Sequence, residues 1–433
     1  MSQIRGQKFV FFSLTEWSAL PVSHIFLASL LKEHNEVVYV ETTGNRAPRL
    51  TEAGRVLRRL ARSATTGRRR VSGHLPSQGL SIRSPLTLPA PNLPGARAVN
   101  RLLMRRFCRR LRREGLEDAI AWVFAPRWVD AIDELRPRLV IFQSVDELTT
   151  YRGLDTPYAR QQIDRMFRRA DLVFIPGPAL YEERRVLNPE TFHIPNAADP
   201  ALIEAISRPD TPLALELAGL PRPRLTYVGS LAPWIDFDLL ADLAEARPHW
   251  SLVLVGPCPA VTPPRRLSRL RRLNNVHFAG EQPHARLPEF YRASDVLLLP
   301  FVVDRNRYYS DPTKIYEYLA TGRPIVSTGI PSSRVWGDFI RVAERPADFL
   351  ACCDAAAAEP AGDPLREVRR RTGAEQTWPR RLARMSEIIS RKLASGPSPA
   401  TLRTDPAHAA AARPAGVPQD SARAARQAGD TAT

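Results

Sequence analysis

The sequence is poor in the features that assign many proteins at sight. No apolar run approaches the roughly 18–20 residues that cross a bilayer. The opening "MSQIRGQKFVFFSLTEW" superficially resembles a leader, but its apolar part, Phe9 to Leu14, is short and Glu16 interrupts it. It reads as a first β-strand. Only four cysteines occur, Cys108, Cys258, Cys352 and Cys353, without metal-ligand or redox spacing. That excludes a disulfide scaffold and suits a reducing compartment. No G-x-G-x-x-G follows the first strand, and G-x-x-x-x-G-K-[ST], G-x-S-x-G and H-E-x-x-H are all missing. Readings as a dinucleotide enzyme, a P-loop NTPase, an α/β-hydrolase or a zincin therefore lose ground. Nor is there an internal repeat of solenoid period.

What is present is a 433-residue chain with a formal net charge of +17, which favours acidic partners. Short continuous apolar runs alternate with helical patterns. "KFVFFS", "EVVYVE", "LSIRSPL", "AIAWVFAP", "RLVIFQSV", "DLVFIPG" and "TFHIPN" read as strands in the first half. "RLTYVGS", "SLVLVGP", "NVHFAG", "DVLLLPF", "RPIVSTG" and "FIRVAE" read as strands in the second. Strands that are apolar throughout are covered on both faces, and strand–helix alternation makes their sheets parallel. The series restarts at Leu225 after a proline-rich stretch. We expect an α/β protein of two doubly wound domains, 1–205 and 206–365, then a helix over 366–394 and a disordered tail over 395–433.

Candidate chemistry lies at strand ends. Gly229 and Ser230 follow the first strand of the second domain, where backbone N–H groups can approach a phosphate. Asp236 and Asp238 form a D-x-D, which at a helix start reads first as a cap and a first-turn acid. Gly280, Glu281 and Gln282 leave another strand and could meet a nucleobase edge. In "SDPTKIYEYLATGRP", Ser310 or Asp311 can cap a helix, and Lys314 and Glu317 share one face. They read either as a surface ion pair or as a grip on an anion and two hydroxyls, with Arg305, Arg307 and Arg323 near in sequence. In the first domain, Asp146 and Glu147 end a buried strand, and only one should point into a cleft. His24 starts the helix after the first strand and could bind an anion or move a proton. Residues 97–113 form a basic helix whose apolar face we place at Val99, Leu102, Leu103, Phe107 and Leu111. Seven arginines lie upstream over 55–70. This suits an anionic membrane surface better than nucleic acid, for which no aromatic platform or reader motif is seen.

The stretches "YVGSLAPWIDFDLLADLAEARPHWSLVLVGP", "NVHFAGEQPHARLPEFYRASDVLLLPF", "DPTKIYEYLATGRPIVST" and "ADLVFIPGPALYEERRVLNPETFHIPNAAD", in this order, resemble GT-B glycosyltransferases. The resemblance is greatest to the retaining, family-4-like group of surface-polysaccharide and teichuronic-acid-type assembly. It covers about residues 8–394, and "TWPRRLARMSEII" resembles that fold's helix that crosses back to the first domain. The resemblance implies a nucleotide-sugar on the second domain and an acceptor on the first. Glu317 then matches the acid that holds the ribose, Gly229 the loop near the diphosphate, and Gly280–Gln282 the nucleobase loop. The sequence departs from the family at three places. Tyr309 stands where the first of two glutamates is expected. Leu231–Ile235 hold no cation where an Arg and a Lys are usual. "LTEWSALPVSH" replaces a glycine-rich loop.

These readings lead us to expect a glycosyltransferase that needs no metal and no separate cofactor. Its donor would be a nucleotide-diphosphate sugar and its acceptor a glycan or lipid-linked glycan. His24, Asp146 and Glu147 are the catalytic candidates. Gly229, Ser230, Gly280, Glu281, Gln282, Asp311, Lys314 and Glu317 are the donor-binding candidates. The expected location is the cytoplasm or the inner membrane face. A nucleotide-sugar epimerase of the same fold and a non-catalytic membrane-associated binding protein are the alternatives.

Overall fold

A computed structural model of the chain describes residues 4–17, 22–41, 80–88, 94–150 and 156–395. The expected tail and the arginines of 55–70 fall outside them. All thirteen strands read from the sequence are present. The first sheet holds β1 (Lys8–Phe12), β2 (Glu36–Val40), β3 (Leu80–Arg83), β4 (Ile120–Val123), β5 (Leu139–Gln143), β6 (Leu172–Ile175) and β7 (Thr191–His193). The second holds β8 (Arg224–Val228), β9 (Ser251–Val255), β10 (Val276–Gly280), β11 (Val296–Leu299), β12 (Ile325–Thr328) and β13 (Arg341–Ala343). Their orders are β3-β2-β1-β4-β5-β6-β7 and β10-β9-β8-β11-β12-β13, with every pairing parallel. Each sheet is therefore doubly wound, and its strand order reverses direction once, between β1 and β4 and between β8 and β11.

The side-chain period of two explains the apolar runs. In β1, Phe9 and Phe11 enter one core while Val10 and Phe12 enter the core on the opposite face. Helix starts often pair a cap with proline. Thr156, Asp199 and Asp363 each precede a proline and accept a bond from the N–H two or three residues further on.

The chain crosses between the domains twice, side by side. Ala198 pairs in parallel with Thr377, and Ala198 N–H donates to Gln376 O at 2.9 Å. The segment expected as one crossover helix is two helices. Pro364–Ala374 packs on the Lys314–Thr321 helix of the second domain. Trp378–Ala394 returns to the first, placing Trp378, Leu382, Met385 and Ile389 in one core with Phe9 and Phe11.

The basic helix, Pro94–Leu111, corrects another expectation. Met104, Cys108 and Leu111 are its buried face, and Asn100 is fixed by bonds to both N–H and C=O of Leu88. Val99 and Leu102 point to solvent, 42% and 53% exposed. Cys108 behaves here as a small hydrophobe, which shifts the buried stripe by one position.

Candidate functional site

In doubly wound sheets a ligand crevice forms beyond the carboxyl ends of the strands, where the order reverses. In the second sheet that point lies between β8 and β11. Close backbone approach shapes its floor: a Cβ on Gly256 would sit 2.0 Å from Gly229 O, and Gly256 φ is +141°. Gly256 N–H donates to Gly280 O at 2.7 Å and Gly229 N–H to Val255 O at 2.8 Å, so the ends of β8, β9 and β10 step together. Ser230 is anchored by its carbonyl, which accepts from Tyr227 Oη at 3.1 Å. The segments after β8 and β11 are joined by an Ile235–Phe301 bridge, by Asp236 N–H to Pro300 O and by Val302 N–H to Trp234 O. Asp236 caps the helix Phe237–Ala246 through Leu239 N–H at 2.9 Å, and Asp238 is exposed on the first turn. Among the described residues no group of three or more His, Cys, Asp or Glu is placed to hold a metal ion.

Lys314 and Glu317 do form an ion pair, at 2.8 Å, but not a surface one: the Glu317 side chain is 7% exposed. Buried Tyr291, from the helix Leu287–Ala293, donates its hydroxyl to Glu317 Oε2. Burial first, then the neighbouring Glu317, pushes the Tyr291 hydroxyl well above its ordinary pKa, so it stays a donor. All bonds to the carboxylate fall on Oε2, and Oε1 has none among the described residues. An acid held this way can accept from a ligand hydroxyl through Oε1. Gln282 is already engaged at both ends, with Ala279 O and Arg286, while Glu281 is exposed. Arg323 donates to Arg292 O near the far end of the Lys314 helix and stands apart from this cluster.

Asp311 has a different role from the one its sequence position suggests. The helix cap is Thr313, without a side-chain bond. The Asp311 carboxylate accepts from Asn196 N–H and from Tyr316 Oη, both at 2.7 Å, and Asn196 Nδ2 donates to Asp311 O. It thus ties the first domain to the second, and burial pushes its carboxyl up to about 7. Neither a cap nor an open ligand contact remains.

The first domain meets this region through its own carboxyl-end loops. The short helix Arg305–Tyr309 follows β11 and reaches the loops after β5 and β6. Asn306 Nδ2 donates to Thr150 Oγ1 at 2.5 Å, and Tyr309 Oη donates to Glu183. Tyr309 is buried within a first-domain core, and a Cβ on Gly177 would lie 2.1 Å from its carbonyl oxygen. The residue standing in place of a glutamate is a contact between domains. Of the acidic pair, Glu147 turns inward: it accepts from Arg184 at 2.9 Å and from Thr149 N–H and Oγ1. Burial opposes its ionisation, but Arg184 and Thr149 outweigh it and hold the carboxyl below its usual range. With these partners it positions Arg184 and is closed to a catalytic role. Asp146 is half-buried and lies close enough for Asp311 to sense its charge.

His24 sits at the reversal point of the first sheet, against Phe124 just past β4 and bonded through Nε2 to Thr15 Oγ1 at 2.8 Å. Burial lowers its pKa to about 4, so the ring is neutral near pH 7. It can exchange a hydrogen bond there but lacks the charge to attract an anion. A separate cavity of about 950 Å³, lined by Lys8, His34, Glu36 and Trp378, opens at the amino ends of β1 and β2, away from the carboxyl-end crevices.

Known proteins share parts of this sequence and its architecture. Residues 222–356 match the family model for glycosyl transferases group 1. TuaH of Bacillus subtilis (strain 168), named by inference as a teichuronic acid biosynthesis glycosyltransferase, is 26% identical over 223 residues, 49% of this chain and 55% of TuaH. The match thus spans about half the length of that curated relative. Among solved structures, sucrose-phosphate synthase (tll1590) from Thermosynechococcus elongatus superposes with a TM-score of 0.62 at 15% identity, covering 90% of this chain and 100% of that one. Anabaena Alr3699/HepE in complex with UDP and glucose gives 0.61 at 14%, over 90% and 100%. The α,α-trehalose 6-phosphate synthase of Burkholderia multivorans gives 0.62 at 12%, over 90% and 100%. The fold is therefore of the GT-B type, with the helix Trp378–Ala394 returning to the first domain.

Proposed function

We propose that the chain is a glycosyltransferase that moves a sugar from a nucleotide-diphosphate sugar to a glycan or lipid-linked acceptor in surface-polysaccharide biosynthesis. The observation that carries this reading is the Lys314–Glu317–Tyr291 cluster beyond the second sheet, with Glu317 and Tyr291 buried, within the segment that matches the group 1 family. In this reading Glu317 Oε1 accepts from the ribose hydroxyls. The Gly229–Ser230 turn faces the diphosphate, and the Gly280–Gln282 loop faces the base. The acceptor enters over the first sheet, beside His24 and Asp146.

The chemistry is retaining and metal-independent. Charge develops on the leaving diphosphate as the glycosidic bond breaks, and oriented N–H groups and cations there lower the barrier without reorganising. The leaving phosphate takes the acceptor proton. Closure of the two domains excludes water from the reacting centre. The exposed Val99 and Leu102, beside Arg101, Arg105 and Arg106, support peripheral attachment to an anionic membrane on the cytoplasmic side. Among the described residues no helix is long and apolar enough to cross a membrane.

Incubation with nucleotide-sugars tests the reading against its rival. Transfer predicts release of nucleoside diphosphate that depends on added acceptor membranes. An epimerised sugar-nucleotide formed without acceptor would replace it with the epimerase alternative.

A further inference from the structure

The loop after β8 carries Trp234 and no cation, yet a cation reaches it from elsewhere in the chain. Arg307, on the short helix after β11, lays its guanidinium over the Trp234 ring, with Cζ 5.1 Å from the centroid. The same Cζ lies 5.8 Å from the centroid of Phe301. Trp234 follows β8 and Phe301 follows β11, so the guanidinium lies where the strand order of the second sheet reverses. The bridge between Ile235 and Phe301 holds the two segments that carry these rings side by side.

Arg307 is half-buried with its Nε enclosed, and a cation drawn from water without a counter-charge is unfavourable. Arg307 is not paired. Among the described residues no carboxylate bridges it, and its Nε is buried without a hydrogen-bond partner. Its neighbours on the same helix, Asn306 and Tyr309, are occupied by the first domain, which leaves Arg307 at the seam between the domains. Its charge is felt by Tyr227, whose hydroxyl holds the Ser230 carbonyl. Lys314, the nearest alternative in sequence, is committed to Glu317 and Tyr291.

We infer that Arg307, held on Trp234 and Phe301, is the anion hook of the second domain and binds the diphosphate of a nucleotide ligand. The inference rests on the nucleotide-sugar reading for the identity of the ligand, but the anion site stands on its own geometry. Cation–π contact with both rings holds the guanidinium in place, so its Nη N–H groups can meet two phosphate oxygens at once. A monophosphate offers fewer such oxygens and gains less.

The experiment measures binding of UDP, GDP and ADP, the matching monophosphates, and inorganic pyrophosphate to wild type, Arg307→Gln and Arg307→Lys. Unliganded melting and circular dichroism check that each variant is folded. The expected result is that Arg307→Gln weakens the preferred diphosphate about tenfold or more and its monophosphate less, with Arg307→Lys between. An unchanged diphosphate-to-monophosphate ratio in a folded Arg307→Gln overturns the inference and leaves the functional reading standing. Pyrophosphate binding that is lost in Arg307→Gln, with no nucleotide bound by wild type, upholds the anion site and removes the nucleotide-sugar reading. Binding of none of these probes by wild type overturns both.

Discussion

Replacing Asp311 by Asn should remove a pH dependence from the stability of the whole chain. The carboxyl is 5% exposed, and its bonds from Asn196 and Tyr316 join the domains. Its folded pKa is raised to about 7, chiefly by burial, from an unfolded value of about 3.9. Between these values the folded state binds more protons than the unfolded state, so stability falls as pH rises. For one group with these two pKa values, the loss between pH 5 and pH 8 is roughly 2–3 kcal/mol. An Asn side chain of the same shape keeps an acceptor for the Asn196 N–H and cannot ionise. Urea unfolding of both proteins at pH 5 and pH 8 checks this. Wild type should lose about 2–3 kcal/mol more than Asp311→Asn over that interval. An equal loss in both proteins would refute the argument that this carboxyl is raised by burial in the seam.

Gly256→Ala should lower stability by several kcal/mol, of order 3 or more, because the new Cβ would meet Gly229 O at a positive φ. The same change should abolish ligand-induced thermal stabilisation, since it displaces the floor of the crevice. Tyr309→Phe removes the hydroxyl that Glu183 accepts from and should cost about 1 kcal/mol, read by urea unfolding. Solution scattering should also show a larger radius of gyration for that variant if the bond helps hold the domains together.

Much of the architecture could be read directly because the strands are apolar without interruption. "KFVFF" and "VLLL" leave no polar face to solvent, which only a strand covered on both sides allows. Asp236 was readable as a cap because its partner, Leu239, is three residues away. Asp311 was not, because its partner Asn196 lies 115 residues earlier, beyond the reach of local pattern. Glu147 misled for the same reason: Arg184, which closes it, belongs to another helix. On the basic helix, arginines on both sides of the stripe hid the buried face, and Met104 and Cys108 carried it in place of Val99 and Leu102. Tyr309 gains its meaning only when the second domain meets the first, and Arg307 only when the segments after β8 and β11 meet.

In the proposed function the second domain grips a nucleotide-sugar through Glu317. A calorimetric titration of a nucleotide-sugar panel into wild type and Glu317→Ala tests it most directly. Wild type should bind at least one member saturably, and the folded variant should lose at least tenfold, about 1.4 kcal/mol. Equal binding by both proteins, or binding of no member by wild type, would contradict it.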